Sequence, residues 1–352
     1  MGLHFDYLLN AARWAPSADN TQPWQLRCDD GILAVAYDKA RVEGVTFPPN
    51  DPATLIAMGA VLENLLQASA ATGLSVERVQ PGEDEYFRLL VSETSTSSPG
   101  PDSHPLFLRH TNRLPFRTTP LPRPLVEKLL NEREETACVQ LLEGKHDLAR
   151  IAGLVRQAST IRFQTRESNE SLGRSLRFTP REVSRGDGLD VATLNLPPGG
   201  RGIMRLMADW RRMESLNRWG AYRLFAAIEA KSVTNASAIV AITGSPGYAG
   251  ALDAGQLMER VWIKLNAEDV GVQPFYVVAD QLFRRDDHLL PRGLEQTGDA
   301  LARTTDELLG LSGRKLYMLL RIGYPIRPPV KSLRLPLNAL CKAGWEDKAL
   351  RP

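Results

Sequence analysis

The chain has 352 residues, of which 43% are hydrophobic and 24% charged, and this composition excludes disorder as a description of the whole chain. Its 43 Lys and Arg against 41 Asp and Glu leave a net charge of +2, which argues against nucleic acid or an acidic membrane surface as a partner. Cys28, Cys138 and Cys341 lack metal-binding spacing and are expected to be reduced thiols in a cytoplasmic protein. The sequence shows no signal peptide and no membrane span, so we expect a soluble protein.

The stretch before residue 105 predicts two helices, a hairpin, a further strand and a linker. Residues 3–15 place apolar side chains on one helical face, and the runs WQLRCDD and ILAVAYD flank a turn at Gly31. Residues 54–72 are apolar on most helical faces, which predicts a buried helix that ends at Gly73. YFRLLVS predicts a strand, and the segment ETSTSSPGPDSHP at 93–105 is typical of a linker.

The middle of the chain predicts a long insertion. Helices are predicted at Arg123–Glu135 and from near Asp147, with the strand VQLLEG between them. Residues 167–202 hold Gly and Pro at turn positions, which predicts a structured loop. From Met204 to Phe225, Met, Trp and Phe recur with helical period, and the simplest interpretation is a helix packed on the core.

The last part of the chain alternates strands and helices. SAIVAIT, VQPFYVVA at 272–279 and KLYMLLRIGYP predict strands, with helices at about Asp253–Asp269 and Thr304–Leu311. Such alternation predicts a mixed sheet covered on both faces, in the α/β or α+β class.

A weak internal echo suggests two related units. Gly59-Ala-Val-Leu-Glu63 leads to Gly73, and Gly255-Gln-Leu-Met-Glu259 leads to Gly271, each within a helix followed by a strand. If the echo is real, the first unit is the shorter one.

The strong catalytic patterns GxxxxGK, HExxH, GxSxG, CxxC and GxGxxG are missing from the sequence, but RHTNR carries suggestive chemistry. In an extended segment Arg109, Thr111 and Arg113 point to one side, where they suit a phosphate dianion. Lys331 and Arg334 follow the last predicted strand and could supply further cations. Each basic pair alone is equally well a solvated surface.

The segment APSADNTQPW is dense in polar side chains. Ser17, Asn20 and Gln22 lie between Pro16 and Pro23, and amide donors and acceptors together suit a planar heterocycle. The alternative is a network of turn hydrogen bonds that ends the preceding helix.

Four motifs together resemble those of the FMN-dependent nitroreductase superfamily. RWAPSADNTQPW at 13–24 resembles its RxAPSxxNxQPW segment, and RHTNR at 109–113 resembles its RxSxR/K phosphate motif. GVQP at 271–274 is similar to its GL-turn, and GYP followed by Lys331 and Arg334 is similar to its closing GYP…KxR. In that family the phosphate motif comes first, whereas here it follows the APS motif. The order fits the duplicated, single-chain branch typified by the mycobacterial Acg proteins, in which two halves share one flavin.

This resemblance implies an α+β fold of the three-layer α/β/α, nitroreductase-like kind, built as two unequal halves fused into a pseudo-dimer. The halves would be residues 1–95 and 106–340, joined by a linker at 96–105. A lid would lie at about 167–236 in the second half, and residues 341–352 would form a C-terminal tail.

The resemblance also implies a site for FMN. The phosphate would be held by Arg109, Thr111, Arg113, Lys331 and Arg334. The isoalloxazine ring would face Pro16, Ser17, Asn20 and Gln22, with Gln273, Pro274 and Phe275 near N5. No metal is implied, and no residue is assigned a catalytic role.

The function implied is an oxidoreductase that transfers electrons from NAD(P)H through FMN to a small oxidised acceptor, such as a nitroaromatic or a quinone. One alternative is a lid-covered protein that binds or sequesters flavin without NAD(P)H reductase activity. Another is a flavin-dependent dehydrogenase of a peptide or natural-product precursor. The expected partner is a small-molecule substrate, with no nucleic acid or membrane, and the protein is expected to be a monomer or a homodimer.

Overall fold

The computed structural model describes residues 3–29, 31–98, 100 and 103–341. Helices and antiparallel sheets dominate these residues, which gives the α+β class expected from the sequence. Residues 342–352 of the predicted tail at 341–352, and residues 99, 101 and 102 of the predicted linker, lie outside the described residues.

The secondary-structure elements are numbered here in chain order. The helices are α1 Leu3–Arg13, α2 Lys39–Val42, α3 Pro52–Thr72, α4 Arg123–Leu130, α5 Gly144–Arg162, α6 Arg166–Ser175, α7 Pro180–Val183, α8 Gly200–Met207, α9 Trp210–Asn217, α10 Ala221–Val233, α11 Tyr248–Ala267, α12 Val277–Asp286, α13 Glu295–Leu309 and α14 Leu337–Leu340. The strands are β1 Trp24–Asp29, β2 Ile32–Tyr37, β3 Ser75–Val79, β4 Glu85–Ser92, β5 Phe116–Arg117, β6 Ala137–Glu143, β7 Leu176–Arg177, β8 Leu189–Asp190, β9 Ala238–Gly244, β10 Gly271–Phe275 and β11 Lys315–Pro325. Short 3-10 helices lie at Ala18–Asn20, Pro105–Leu108 and Val191–Leu194.

The first sheet has the order β1-β2-β4-β3, with every neighbouring pair antiparallel. The predicted hairpin forms its first two strands, with Gly31 at a φ of +82° in the turn. Strand β3 was not predicted, because SVERV is an edge strand with mostly exposed side chains and leaves little hydrophobic pattern to recognise.

The second sheet has the order β10-β11-β9-β6, and β5 also pairs with β11. Every neighbouring pair is antiparallel, so the prediction of a mixed sheet is wrong. Its central strands are apolar throughout because helices cover both faces, and that arrangement does not require parallel strands. The layers on either side match the predicted three-layer α/β/α arrangement: α11 packs on one face, and α5, α12 and α13 on the other.

The two sheets share one strand order and one connection pattern. The first is built in the sequence β1, β2, α3, β3, β4, and the second in the sequence β6, β9, α11, β10, β11. In each, the strand before the helix pairs with the second strand after it. The second unit differs by long insertions between β6 and β9 and between β10 and β11.

Helices α3 and α11 pack against each other at the centre of the molecule, where the echoed glycines lie. A Cβ on Gly59 would stand 2.0 Å from the carbonyl oxygen of Leu252, and one on Gly255 would stand 2.2 Å from that of Ile56. Each glycine therefore lets its helix approach the backbone of the other. Helix α3 has the length and hydropathy of a membrane span, but 83% of its apolar window is buried inside the protein, as expected for a core helix.

Two predicted elements end earlier in the structure than the sequence indicates. The strand predicted at 272–279 ends at Phe275, and α12 begins at Val277. The helix predicted at Arg123–Glu135 ends at Leu130. Two β-branched valines at the start of α12 gave a false strand signal, which tertiary packing overrides.

The predicted insertion also contains more helix than expected. Residues 167–202, predicted as a structured loop, include α6, α7 and the start of α8. The apolar stripe predicted as a single helix is divided among α8, α9 and α10. Met207 and Met213 are buried in a small core of this insertion, but Trp219 is 92% exposed, so the stripe is not uniformly a core face.

Candidate functional site

A cavity of about 810 Å³ brings together eleven of the twelve cofactor-binding residues predicted from the sequence. The eleven are Pro16, Ser17, Asn20, Arg109, Thr111, Arg113, Gln273, Pro274, Phe275, Lys331 and Arg334. Gln22 is fully buried and does not line the cavity. Segments that are remote in sequence therefore share one cavity wall.

The segment RHTNR runs beside β10 in an extended conformation. The backbone N–H of Asn112 donates to the carbonyl of Val272 at 2.8 Å, and that of His110 donates to Oδ1 of Asn266 at 2.8 Å. With the backbone held in this way, the first, third and fifth residues of the segment line the cavity, and so does the second, His110.

Arg109 is buried and already has partners within the protein. Its Nε lies 2.8 Å from the carboxylate of Glu259, its Nη2 donates to the carbonyl of Trp14 at 2.6 Å, and its guanidinium lies 4.8 Å from the ring centroid of Trp262. Burial lowers the pKa of Arg109 and raises the pKa of Glu259 to about 7. Arg109 therefore joins α1, α11 and the cavity wall in addition to any ligand contact.

Two further arginines carry positive charge that the protein only partly balances. Burial lowers the pKa of Arg113 to about 10, and the charge of Asp19 opposes that shift. Burial lowers the pKa of Arg334 to about 9, and the neighbouring charge of Arg109 acts in the same direction. The Nε of Arg334 is buried and has no hydrogen-bond partner among the described residues. Such a cluster favours a bound anion.

The loop between α1 and β1 has an unusual backbone. Asp19, Asn20 and Gln22 adopt positive φ angles of +48°, +58° and +49°, a region that non-glycine residues seldom occupy. Its conformation is held by hydrogen bonds, among them one from the backbone N–H of Gln22 to Oγ of Ser17 at 2.8 Å.

The side chain of Asn20 joins this loop to two other segments. Its Nδ2 lies 3.3, 3.2 and 3.0 Å from the carbonyl oxygens of Gly186, Gly188 and Leu333. Its Oδ1 accepts a hydrogen bond from Arg334 at 2.8 Å. Every polar atom of the amide thus contacts protein.

Gln22 makes similar contacts out of reach of the cavity. Its Nε2 donates to the carbonyl of Gly186 at 3.0 Å, and its Oε1 accepts from the backbone N–H of Leu335 at 3.0 Å. In this structure the amides of Asn20 and Gln22 bond mainly to distant segments, which differs from the local turn network that the sequence left as an alternative. We call this set of bonds from Asn20 and Gln22 to 186–188 and 333–335 the amide latch.

The segment Gln273–Phe275 forms the last part of β10, which is an edge strand of its sheet. Pro274 is tolerated there because an edge strand has one side on which no backbone N–H is needed for pairing. The Oε1 of Gln273 accepts a hydrogen bond from Arg321 at 2.5 Å. Pro274 has no N–H, so a backbone donor in this segment can come only from Gln273 or Phe275.

Several cavity residues were missed by the sequence analysis. Asp19 lies inside the APS motif at a position that the motif leaves variable, and burial raises its pKa against the opposing charges of Arg113 and Arg162. His110 lines the cavity, and burial lowers its pKa. Asp280 on α12 also lines it, and burial raises its pKa to about 6. No motif marks His110 or Asp280, so only the fold reveals them.

Sequence similarity links the chain to two mycobacterial proteins. No family model matches the chain. It is 27% identical over 282 residues to the "Uncharacterized protein MT1398" of Mycobacterium tuberculosis, covering 76% of this chain and 38% of that protein. It is 35% identical over 113 residues to the "Putative NAD(P)H nitroreductase acg" of the same species, covering 30% of this chain and 34% of that protein. The chain thus spans little more than a third of the length of these relatives.

Solved nitroreductase structures are similar to the chain at low identity. The FMN- and NADPH-dependent nitroreductase NfnB of a Sphingopyxis strain is 16% identical, with 68% of this chain and 97% of that chain covered and a TM-score of 0.37. A nitroreductase with bound FMN from Bacteroides fragilis is 10% identical, with 68% and 94% covered and a TM-score of 0.37.

The fold and the cavity define an α+β protein in which one cationic site lies between elements of two similar sheet units. The chain resembles the nitroreductase superfamily, in its four motifs and in the 113-residue match to a relative of that name.

Proposed function

We propose that the protein is an FMN-binding oxidoreductase that passes electrons from NAD(P)H to a small oxidised acceptor such as a nitroaromatic or a quinone. The observation that carries the proposal is the cavity itself. Three parts of the chain that are remote in sequence line it: the loop with Pro16, Ser17 and Asn20, the RHTNR segment, and the pair Lys331 and Arg334. The loop suits a planar ring, and the cations suit a phosphate.

The residues present fit the phosphate of FMN. Arg113 and Arg334 are half-buried cations that line the cavity, and the Nε of Arg334 is without a partner among the described residues. A phosphate dianion would supply the missing acceptors and offset the repulsion between Arg334 and Arg109. Thr111 would add a hydroxyl donor, and Lys331 is an exposed cation at the same wall.

The same residues define what the protein contributes to the chemistry. When bound, FMN would supply hydride transfer. Arg113, Lys331 and Arg334 would fix its phosphate, while Pro16, Ser17, Asn20 and Gln273–Phe275 would set the position of the ring. Gln22 would act through the loop that it holds, since its own amide contacts only backbone groups. Trp14 and Trp262 would exclude water from the cavity beside Arg109.

We also propose that the two sheet units are the two halves of a fused pseudo-dimer, at 1–95 and 106–340. Their common strand order and the reciprocal contacts of Gly59 and Gly255 support this division. The insertion at about 167–236 would serve as the lid. A single site between the halves accounts for one copy of each motif, and the fused chain could remain a monomer or form a further homodimer. Cytoplasmic location remains a prediction.

Flavin retention tests the proposal directly. The purified protein is expected to be yellow, with about one FMN per chain. Removing Arg109 would also leave Glu259 unpaired in the core, so the double substitution Arg113→Ala with Lys331→Ala is the cleaner test. It is expected to weaken FMN binding by roughly tenfold or more, because charge-assisted hydrogen bonds are lost.

Arg211→Ala, at an exposed position on α9 away from the cavity, should leave FMN binding unchanged. Unchanged FMN content in the double variant would contradict the proposed phosphate site.

A second candidate function is a flavin store without reductase activity. The amide latch favours it, because the latch ties the lid segment 186–188 to the loop at the cavity. Anaerobic mixing of the FMN-loaded protein with NADPH or NADH separates the two. Prompt bleaching of the flavin supports the reductase, and a flavin that stays oxidised supports the store.

A further inference from the structure

We infer that the lid side of the cavity binds the apolar part of the electron acceptor, so that preferred acceptors carry a hydrocarbon extension beside the group that is reduced. This inference rests on the proposed function, because it names the class of molecule that the same site would take.

One part of the wall contributed by the lid is apolar, while α6 and the residue after Ile228 add Glu167, Ser168, Ser171, Arg174 and Glu229 to the lining. Between residues 189 and 228, ten residues line the cavity, and none has a polar side chain. They are Leu189, Leu194, Leu196, Pro197, Gly200, Ile203, Met204, Met207, Phe225 and Ile228. A ligand surface that packs on this part of the wall finds no hydrogen-bond partner in its side chains, which favours hydrocarbon over polar groups.

The basic side chains of the same stretch do not line the cavity, and Glu229 is the charged residue of the stretch that does. Between residues 201 and 231 the lid carries seven basic side chains, all exposed and none lining the cavity: Arg201, Arg205, Arg211, Arg212, Arg218, Arg223 and Lys231. The helices of the lid are therefore amphipathic, and they turn apolar residues toward the cavity. An apolar helix face is normally buried against other apolar groups.

Apolar side chains also mark the opening of the cavity. Ile203 and Ile228 line it and are nevertheless 50% and 60% exposed, so they lie where the cavity meets solvent. Exposed apolar surface at the edge of a pocket is typical of a surface that a ligand covers. An acceptor with a hydrocarbon extension would cover these two side chains while its reducible group lies deeper in the cavity.

Four charged groups on this side of the cavity form two ion pairs, while Arg174 also lines it at an exposed position. Arg162 donates to the carboxylate of Glu229 at 2.8 Å, and Arg284 lies 3.6 Å from the carboxylate of Glu167. An anionic acceptor would have to compete with these carboxylates, whereas an apolar extension would not. The site therefore favours a neutral acceptor here and leaves the phosphate to the unbalanced cations of Arg113 and Arg334.

The wall can also adapt to extensions of different shape. Met204 and Met207 are unbranched side chains that fill irregular space. The volume of about 810 Å³ lies toward the upper end of the range of roughly 300–1,000 Å³ for small-molecule sites, which suits two ligands side by side.

Equilibrium binding tests the inference without any turnover. The FMN-loaded protein, with no reductant, is titrated with 2-methyl-1,4-naphthoquinone and with the same quinone carrying a 3-prenyl chain. The prenylated quinone is expected to bind about tenfold more tightly or better, because each methylene buried in an apolar site strengthens binding roughly fourfold. Equal affinity of the two quinones would overturn the inference.

A matched set of variants shows where the chain binds. Ile203→Ser combined with Ile228→Ser removes exposed side chains, so the fold should be retained. This variant is expected to lose most of the preference for the prenylated quinone and to keep its affinity for the tailless one within about twofold, since only the tail packs on these residues. Leu224→Ser is the control, because Leu224 lies one turn from Ile228, is 61% exposed and does not line the cavity. An unchanged preference in the double variant, or an equal loss in the control, would contradict the assignment.

NADPH-dependent reduction of both quinones separates this inference from the proposed function. Tail-dependent binding without any reduction would support the apolar site and contradict the oxidoreductase. Reduction of both quinones with no difference in affinity would support the oxidoreductase and contradict the apolar site.

Discussion

The amide groups of Asn20 and Gln22 tie three segments that are far apart in sequence. They contact the lid at Gly186 and the segment after β11 at Leu333 and Leu335. The fit is close at Gly186, where a Cβ would stand 2.4 Å from the carbonyl oxygen of Arg334. Gly186 also has a φ of +79°, so glycine is required there both by space and by backbone conformation. These two amides therefore fix the position of the insertion at Gly186, the segment proposed as the lid, relative to the cavity.

Asn20→Ala should loosen the lid. The substitution removes the donor shared by three carbonyl oxygens and the acceptor for Arg334, and in flavin-free protein we expect faster hydrogen exchange at residues 186–188. Asn20→Asp is the informative comparison, because it keeps an acceptor for Arg334 but cannot donate to the carbonyls. Both variants should show the faster exchange. Wild-type exchange rates in both would mean that the latch does not hold the lid.

At the scale of the elements, the molecule depends on the crossing of α3 and α11. Gly59 and Gly255 occupy equivalent places on the two helices, four residues before Glu63 and Glu259. Both carboxylates are buried and pair with arginines, Glu63 with Arg260 at 2.8 Å and Glu259 with Arg109 at 2.8 Å. The weak sequence echo therefore marks a real correspondence in position and in chemistry.

Gly255→Ala should destabilise the protein strongly. The added Cβ would stand 2.2 Å from the carbonyl oxygen of Ile56, and the backbone there cannot yield as a flexible side chain would. We expect a loss of about 1–3 kcal/mol or more in the free energy of unfolding, measured by urea denaturation. Gly153→Ala in the interior of α5 is the matched control, because nothing lies within 4 Å of its added Cβ. That control should gain about 0.5–1 kcal/mol from helix propensity, and an equal loss in both variants would contradict the crossing argument.

The elements that the sequence predicted well are those with strong periodic patterns or motifs. The RHTNR segment lies at the cavity with Arg109, Thr111 and Arg113 among its lining residues, but His110 lines it too, which alternation alone does not predict. The edge strand β3 and the division of the lid into three helices were not predictable in the same way. Their boundaries depend on tertiary contacts, and the exposed Trp219 shows that an apolar residue in a periodic run need not face a core.

At the scale of the whole molecule, packing the two units brings carboxylates together. Asp51 caps the start of α3 by accepting from the backbone N–H of Ala53 at 2.8 Å, and Asp280 belongs to α12 of the second unit. Burial raises the pKa of each to about 6, and the charge of Asp280 contributes to the shift of Asp51. No local pattern reveals this meeting, because the two residues are brought close only by the assembled fold.

These shifts predict how stability depends on pH. A carboxyl group with a raised pKa binds more protons in the folded state, so the free energy of unfolding should fall as pH rises from about 4 to 6. Asp280→Asn removes one such group and should reduce this fall, with a gain of up to about 3 kcal/mol at pH 7. Asp84→Asn, at an exposed position, is the control and should leave the pH profile unchanged. The check is urea unfolding of flavin-free protein at a series of pH values. A profile in Asp280→Asn that is identical to wild type would refute the assignment.

The segment 331–335 follows the last long strand, yet it supplies Lys331 and Arg334 to the cavity and a backbone bond to Gln22. During synthesis on the ribosome, the cavity walls that belong to the first unit are therefore made long before the pocket can close. Binding of the phosphorylated cofactor that we propose would therefore occur late in synthesis. A chain that ends before this segment would lack Lys331 and Arg334 and would not hold the phosphate completely.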